Sequence, residues 1–114
     1  MAQNFTSLQN DPNMRIDVQA PFSVSEPLQQ LIEEKVNKLS LFFDRIQSAR
    51  IFLKDDVNRF NHKDARKVEI EVNVPGSTLY ADDAAESFEK AIAGAAEKMK
   101  RQVRELKKQM DDKH

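Results

Sequence analysis

The sequence predicts an α+β fold: a two-layer sandwich in the order β-α-β-β-β-α, with a four-stranded mixed sheet carrying two helices on one face. Three observations carry that prediction. Apolar residues alternate with polar ones at the period of a half-buried strand in several short segments. Apolar residues recur at steps of three and four in two longer segments, the period of an amphipathic helix. A Pro-Gly pair separates two of the alternating runs, as the centre of a turn would.

The elements follow in order. Residues 1–13 are polar, lack periodicity and end in Asp11-Pro12-Asn13, so they read as a flexible N-terminal extension. Met14, Ile16, Val18 and Ala20 alternate with Arg15, Asp17 and Gln19 in the first strand, and Pro21 closes it. Ser25 is a suitable N-cap with Pro27 in the first turn, where a missing N–H does little harm. Leu28, Leu31, Ile32, Val36, Leu39, Phe42 and Phe43 then define a helix expected over Glu26 to Asp44, with both phenylalanines on the core side. Ile51 and Leu53 mark a second strand over Arg50 to Lys54, followed by a long polar hairpin connection. Val68, Ile70, Val72 and Val74 give the third strand, Pro75-Gly76 a type II turn, and Leu79 and Ala81 the fourth. Asp82 or Asp83 is expected to cap a long last helix, from about residue 84 to 110, along Phe88, Ile92, Ala95, Met99, Val103, Leu106 and Met110. Residues 14–110 thus form one domain, with 111–114 as a C-terminal tail.

The right-handed crossover rule makes the first two strands parallel neighbours, and strands two to four an antiparallel meander. A helix of that length is about 40 Å long and a six-residue strand about 20 Å. The helix is therefore expected to overhang the sheet, exposing Val103, Leu106 and Met110 on the overhang.

Composition excludes several classes of function. Among 114 residues there is no cysteine, which removes disulfides, thiolate metal sites and a thiol nucleophile. No uncharged run exceeds ten residues, too few to cross a bilayer as a helix, and the N-terminus lacks the pattern of a secretory signal. His62 and His114 have no helical partner at metal-ligand spacing, and two glycines cannot build a phosphate-cradling loop. The tandem carboxylates Asp55-Asp56 and Asp82-Asp83 read as turn or cap residues, because adjacent side chains diverge. Neither an enzyme nor a cofactor is expected, and the cytoplasm is the expected location.

Net charge is only −1, but its distribution is uneven. Residues 98–108, KMKRQVRELKK, hold six basic residues against one acidic, whereas residues 81–97 hold five acidic against one basic. Compensation of the helix dipole accounts for part of this gradient, yet it needs cations only in the last turn. On a helical wheel Lys90, Arg101, Arg104 and Lys108 form a row opposite the apolar stripe, flanked by Lys98, Lys100 and Lys107. Lys35 and Lys38 on the first helix, with Arg45 just beyond, extend the positive band. Such a band suits phosphate contacts to folded RNA. No aromatic alternates with the cations, so a stacking platform for single-stranded bases is not expected.

Residues 35–54, KVNKLSLFFDRIQSARIFLK, resemble the segment of the ribosome hibernation-promoting factors in which K-x-x-K-L precedes an aromatic-F-D-R-I turn and the second strand. The stretch KMKRQVRELKK is similar to that family's K-L-x-R-Q-L run on the last helix. The family's short members, once labelled sigma-54 modulation proteins, have a double-stranded-RNA-binding-like fold. The resemblance implies a non-enzymatic stress factor that binds the small ribosomal subunit near the decoding centre. There it would block messenger and transfer RNA and idle the ribosome. It carries over Lys35, Lys38, Arg45, Lys98, Arg101 and Gln102 as contacts to ribosomal RNA, beside Lys90, Arg104 and Lys108 from the wheel. The implied partners are ribosomal RNA and adjacent ribosomal proteins, with no membrane, no small-molecule substrate and a free protein that is monomeric. The end of the chain, four residues past Met110, resembles the dimer-promoting short type. The family often has a basic residue where Glu105 stands. A competing expectation is a protein-interaction or dimerisation module that docks through the overhanging stripe.

Overall fold

A computed structural model of the chain describes residues 14–55 and 65–112. The expected N-terminal extension, most of the polar connection with Asp56 and His62, and His114 lie outside the described residues. The elements are β1 (Arg15–Gln19), α1 (Glu26–Asn37), a 3-10 turn (Lys38–Leu41), β2 (Ser48–Asp55), β3 (Arg66–Val74), β4 (Ser77–Ala85) and α2 (Phe88–Asp112). The sheet order is β1-β2-β3-β4, with β1 parallel to β2 and the other pairs antiparallel. This is the predicted architecture.

Alternation decides which face of the sheet is covered. Ala49, Ile51 and Leu53 of β2 pair with Val72, Ile70 and Val68 of β3, and all six are buried. The helices close over them with Leu28, Ile32 and Val36 from α1 and Ala91, Ile92, Ala95, Met99 and Val103 from α2. The opposite face stays open to water, as antiparallel sheets allow. Gly76, at the second central position of the β3–β4 turn, has a φ of 79°, the left-handed value that this position requires.

Four boundaries differ from expectation, each for a physical reason. First, α1 begins as predicted, with the Ser25 hydroxyl accepting from the Leu28 N–H at 3.3 Å, but it stops at Asn37. The Ser40 hydroxyl donates to the Asn37 carbonyl at 2.7 Å, and the chain tightens into the 3-10 turn. Each residue now advances by about 120° instead of 100°, so the apolar stripe loses its phase. Leu39 and Phe43 still reach the core, Phe42 is only half-buried and Leu41 is 78% exposed.

Second, β2 extends the Arg50–Lys54 estimate at both ends, to Ser48 and Asp55. Third, Asp82 and Asp83 are not helix caps. They pair with Glu69 and Val68 in a β4 that continues to Ala85. Ser87 is the cap, its hydroxyl accepting from the Lys90 N–H at 3.2 Å. Asp83 falls on the covered face of the sheet, and Gly94 of α2 makes room for it: a Cβ at Gly94 would overlap the Asp83 carboxylate.

Fourth, α2 runs past Met110 to Asp112, into the expected tail. Its 25 residues span about 37 Å, but β3 and β4 have nine residues each, or about 30 Å. The overhang is thus shorter than predicted. Val103 is fully buried, and Leu106 and Met110 pack partly against the core. The stripe invoked for docking is consequently not an open apolar face.

Candidate nucleic-acid interface

The two helices lie side by side on the sheet, and the 3-10 turn also touches α2. Between them runs a groove with two adjoining hollows that share Phe42. One, of about 210 Å³, is lined by Lys35, Lys38, Leu39, Phe42, Ala96, Glu97 and Lys100. The other, of about 440 Å³, is lined by Leu41, Phe42, Arg104, Lys107, Lys108 and Asp111. Six cations therefore border one groove, with an aromatic ring at its centre.

The helical period explains which residues of α2 arrive there. Lys98 and Lys100 stand about 200° apart around the helix, on opposite flanks of the apolar stripe. Lys100, Arg104 and Lys107 turn toward the 3-10 turn. The Lys100 ammonium lies 5.7 Å and the Arg104 guanidinium carbon 5.8 Å from the Phe42 ring centroid, within range of a cation–π contact.

Ion pairing inside the groove is weak. Lys38–Glu34 at 3.6 Å, Lys100–Glu97 at 3.3 Å and Lys107–Asp111 at 3.5 Å are each formed between residues three or four apart in sequence, with side chains about a third or more exposed. Such pairs contribute little, so exchanging the carboxylate for a phosphate costs little. Lys35, Arg104 and Lys108 have no ion-pair partner among the described residues. Lys35 is half-buried, its stem against the core edge and its amine at the hollow, as an amphipathic cation behaves.

The other predicted site residues are distributed differently. Arg101 is exposed on the outward face of α2 and also lacks an ion pair among the described residues. Arg45 sits in the turn after Phe43 with its guanidinium carbon 5.8 Å from that ring, outside both hollows. Lys90 is at the far end of α2 and is committed to Glu86 at 2.6 Å. That hydrogen bond and charge hold the Glu86 carboxyl below its ordinary pKa.

Lys98 and Gln102 belong to a separate arrangement. The Lys98 ammonium donates to the Asp82 carbonyl at 3.0 Å and meets the Asp83 carboxylate at 3.4 Å. Gln102 donates to the Tyr80 carbonyl at 2.6 Å. Both side chains thus occupy backbone acceptors of β4, an edge strand.

The sequence marks Lys100 and Lys107 only as flanking residues and Phe42 as core, whereas the structure brings all three to the groove. A helical wheel gives an angle from the apolar stripe but not which flank a neighbouring helix occupies. The Ser40 back-bond that ends α1 was the available signal, because it changes the phase at which Leu41 and Phe42 emerge. Among the described residues no group of acidic, histidine or cysteine side chains could hold a metal ion, and no helix is long and apolar enough to cross a membrane.

Comparison with known proteins agrees with this architecture. A ribosome hibernation promotion factor of Deinococcus radiodurans is 34% identical over 85 residues, covering 74% of this chain and 44% of that protein. A ribosome hibernation promoting factor of Pseudomonas putida is 29% identical over 84 residues, covering 74% of this chain and 76% of the relative. The match thus spans less than half the length of the Deinococcus protein. Among solved structures, a ribosomal subunit interface protein from Coxiella burnetii aligns with a TM-score of 0.65 at 22% identity, over 82% of this chain and 96% of the other. The N-terminal domain of Thermus thermophilus Protein Y aligns with a TM-score of 0.64 at 18% identity, over 81% and 94%. These two show a shared fold. The family model described as Sigma 54 modulation protein / S30EA ribosomal protein matches residues 16–111, from β1 to the end of α2, and the chain belongs to that family.

Proposed function

We propose that this protein is a stress-type ribosome hibernation factor that binds the small ribosomal subunit near the decoding centre. Bound there, it blocks messenger and transfer RNA and inhibits translation. The family is one of ribosome-associated factors and not of enzymes, and the curated relatives are named for hibernation. The observation that carries the reading is the groove between α1 and α2, where six cations converge and three have no ion-pair partner among the described residues.

The mechanism is occupancy. Lys35 and Lys38 on one wall and Lys100, Arg104, Lys107 and Lys108 on the other meet phosphates of folded ribosomal RNA, and counterion release supplies most of the affinity. Arg101 adds a contact on the outer face of α2. A rigid sandwich carrying these cations fills space that nucleic acid would otherwise enter, and no bond is made or broken. The protein acts in the cytoplasm, as a monomer when free, with ribosomal RNA and adjacent ribosomal proteins as its partners.

The test is co-sedimentation with vacant ribosomes and with separated subunits across a salt series. Stoichiometric binding to small subunits, weakening steeply with salt and displaced by messenger and transfer RNA, is the expected outcome. Absence of binding at low salt would overturn the proposal.

A further inference from the structure

We infer that the larger hollow is a seat for one unstacked nucleotide of the RNA, with the Arg104 guanidinium as its stacking plane and Leu41 as its apolar wall. The inference rests on the ribosomal-RNA reading above and gives that groove a specific ligand chemistry.

Leu41 is the starting point. It is one of two large hydrophobic side chains left exposed among the described residues, at 78%, and it is held there by the 3-10 turn rather than by a mobile segment. It borders a hollow of about 440 Å³ whose other lining residues are Phe42, Arg104, Lys107, Lys108 and Asp111. An exposed leucine on a surface of cations has no use in phosphate contact. It does suit the flat apolar face of a base, as leucine wedges do elsewhere.

Arg104 supplies the second surface. Its guanidinium lies over the Phe42 ring, 5.8 Å from the centroid, which restricts the orientation of an otherwise flexible side chain. Unpaired RNA bases stack on aromatic rings and on arginine planes alike, and a lysine offers no such plane. Lys107 and Lys108 stand at the rim of the same hollow, placed for the phosphate of the seated nucleotide. The adjoining hollow, with Lys35, Lys38 and Lys100, continues the path for the flanking backbone. An acidic protein tail would use the cations but leave the guanidinium plane and Leu41 without a complement.

The test compares two short RNA hairpins, one fully paired and one with a single bulged 2-aminopurine, together with isolated small ribosomal subunits and a polyglutamate peptide. Wild-type protein is expected to bind the bulged hairpin roughly tenfold more tightly than the paired one. The 2-aminopurine emission is expected to change on binding. Arg104→Lys keeps the charge and Leu41→Ser alters an exposed side chain. Each is expected to remove that preference, and Leu41→Ser, which takes no cation from the groove, is expected to leave affinity for the paired hairpin and its salt dependence unchanged. Equal binding of both hairpins by the wild type, with small-subunit binding intact, overturns the seat and leaves the ribosomal reading standing. A bulge preference that survives intact in Arg104→Lys also overturns it, by assigning Arg104 a charge role alone. Polyglutamate binding that equals RNA binding and is abolished by Leu41→Ser overturns it in favour of an acidic protein ligand. No binding to small subunits or to either hairpin overturns both proposals.

Discussion

The open face of the sheet and the groove between the helices are both rich in charge, and they use it in opposite ways. On the sheet, Arg50 faces Glu71 at 3.9 Å, Lys54 reaches diagonally to Glu69 at 2.9 Å, and Lys67 lies 3.6 Å from Glu69 on its own strand and 3.7 Å from Asp82 on the next. Cations and carboxylates from neighbouring strands neutralise one another, as cross-strand pairs do. In the groove, cations from different elements converge on the same space, and the carboxylates they meet are near neighbours in sequence, Glu97 and Asp111 among them lining the hollows. The sheet face is thus complete in itself, whereas the groove keeps Lys35, Arg104 and Lys108 without an ion-pair partner among the described residues. The amount of charge does not separate structure from function in this protein; what separates them is whether the pairing closes within the fold.

Breaking the groove is the strongest test of that contrast. Lys100→Glu, Arg104→Glu and Lys107→Glu together are expected to weaken small-subunit binding by more than about a hundredfold and to flatten its salt slope by about two to three units. Lys54→Gln with Lys67→Gln on the sheet is expected to change affinity less than about threefold. Equal effects in the co-sedimentation assay would erase the distinction.

The second test concerns the packing beneath the charges. Gly94→Ala drives a methyl group into the Asp83 carboxylate, and with the helix propensity of alanine offsetting about 1 kcal/mol of the cost the net destabilisation in urea unfolding is expected to be about 1 kcal/mol. Asp83→Ala in the same chain removes the obstruction, so the double variant is expected to recover most of that loss. Additive losses would show that the close approach is not the cause.

A comparable effect separates the two flanks of α2. Lys98→Ala with Gln102→Ala removes the side chains that occupy β4 carbonyls and is expected to cost about 1 kcal/mol of stability. An uncovered edge favours association between copies, readable by ultracentrifugation. Small-subunit binding is expected to stay within about twofold. A large loss of binding would return Lys98 and Gln102 to the interface.

The mildest test is a titration. Tyr80 is the only tyrosine, and desolvation, with the nearby Glu69 and Asp82 carboxylates, raises its phenol pKa from 10.0 to about 12. Because the folded pKa lies above the unfolded one, this contribution to stability is fully present below about pH 10 and is lost as pH rises toward 12. Phenolate absorbance is expected to show one transition near the upper value in folded protein. In Asp82→Asn, which loses one of the two carboxylates, the transition is expected lower.

Much of the fold was legible because it depends on period. Alternation in β3, the three-and-four spacing of α2 and the Pro75-Gly76 turn each leave one reading, and strand order follows from the chirality of the crossover. The boundaries were less legible because they depend on single hydrogen bonds. Asp82 and Asp83 have the chemistry of helix caps, and only pairing with Glu69 and Val68 keeps them in β4. The end of α1 depends on one serine hydroxyl. For the groove, the sequence located the positive band, and Lys35, Lys38, Arg104 and Lys108 stand in it. Lys98 and Gln102 stand outside the groove because their partners are carbonyls of another strand, which composition and spacing do not reveal.

The strand arrangement also sets an order in time. β3 and β4 are joined by two residues, and only Glu86 and Ser87 separate β4 from α2, so these contacts close over short stretches of chain. β1 finds its place beside β2 only after the whole of α1 has been laid across the sheet. Loop closure therefore favours early formation of the β3–β4 hairpin and late arrival of β1. Amide protons of β1 are accordingly the ones that native-state hydrogen exchange should find leaving first, while the β3 ladder holds until the whole molecule opens.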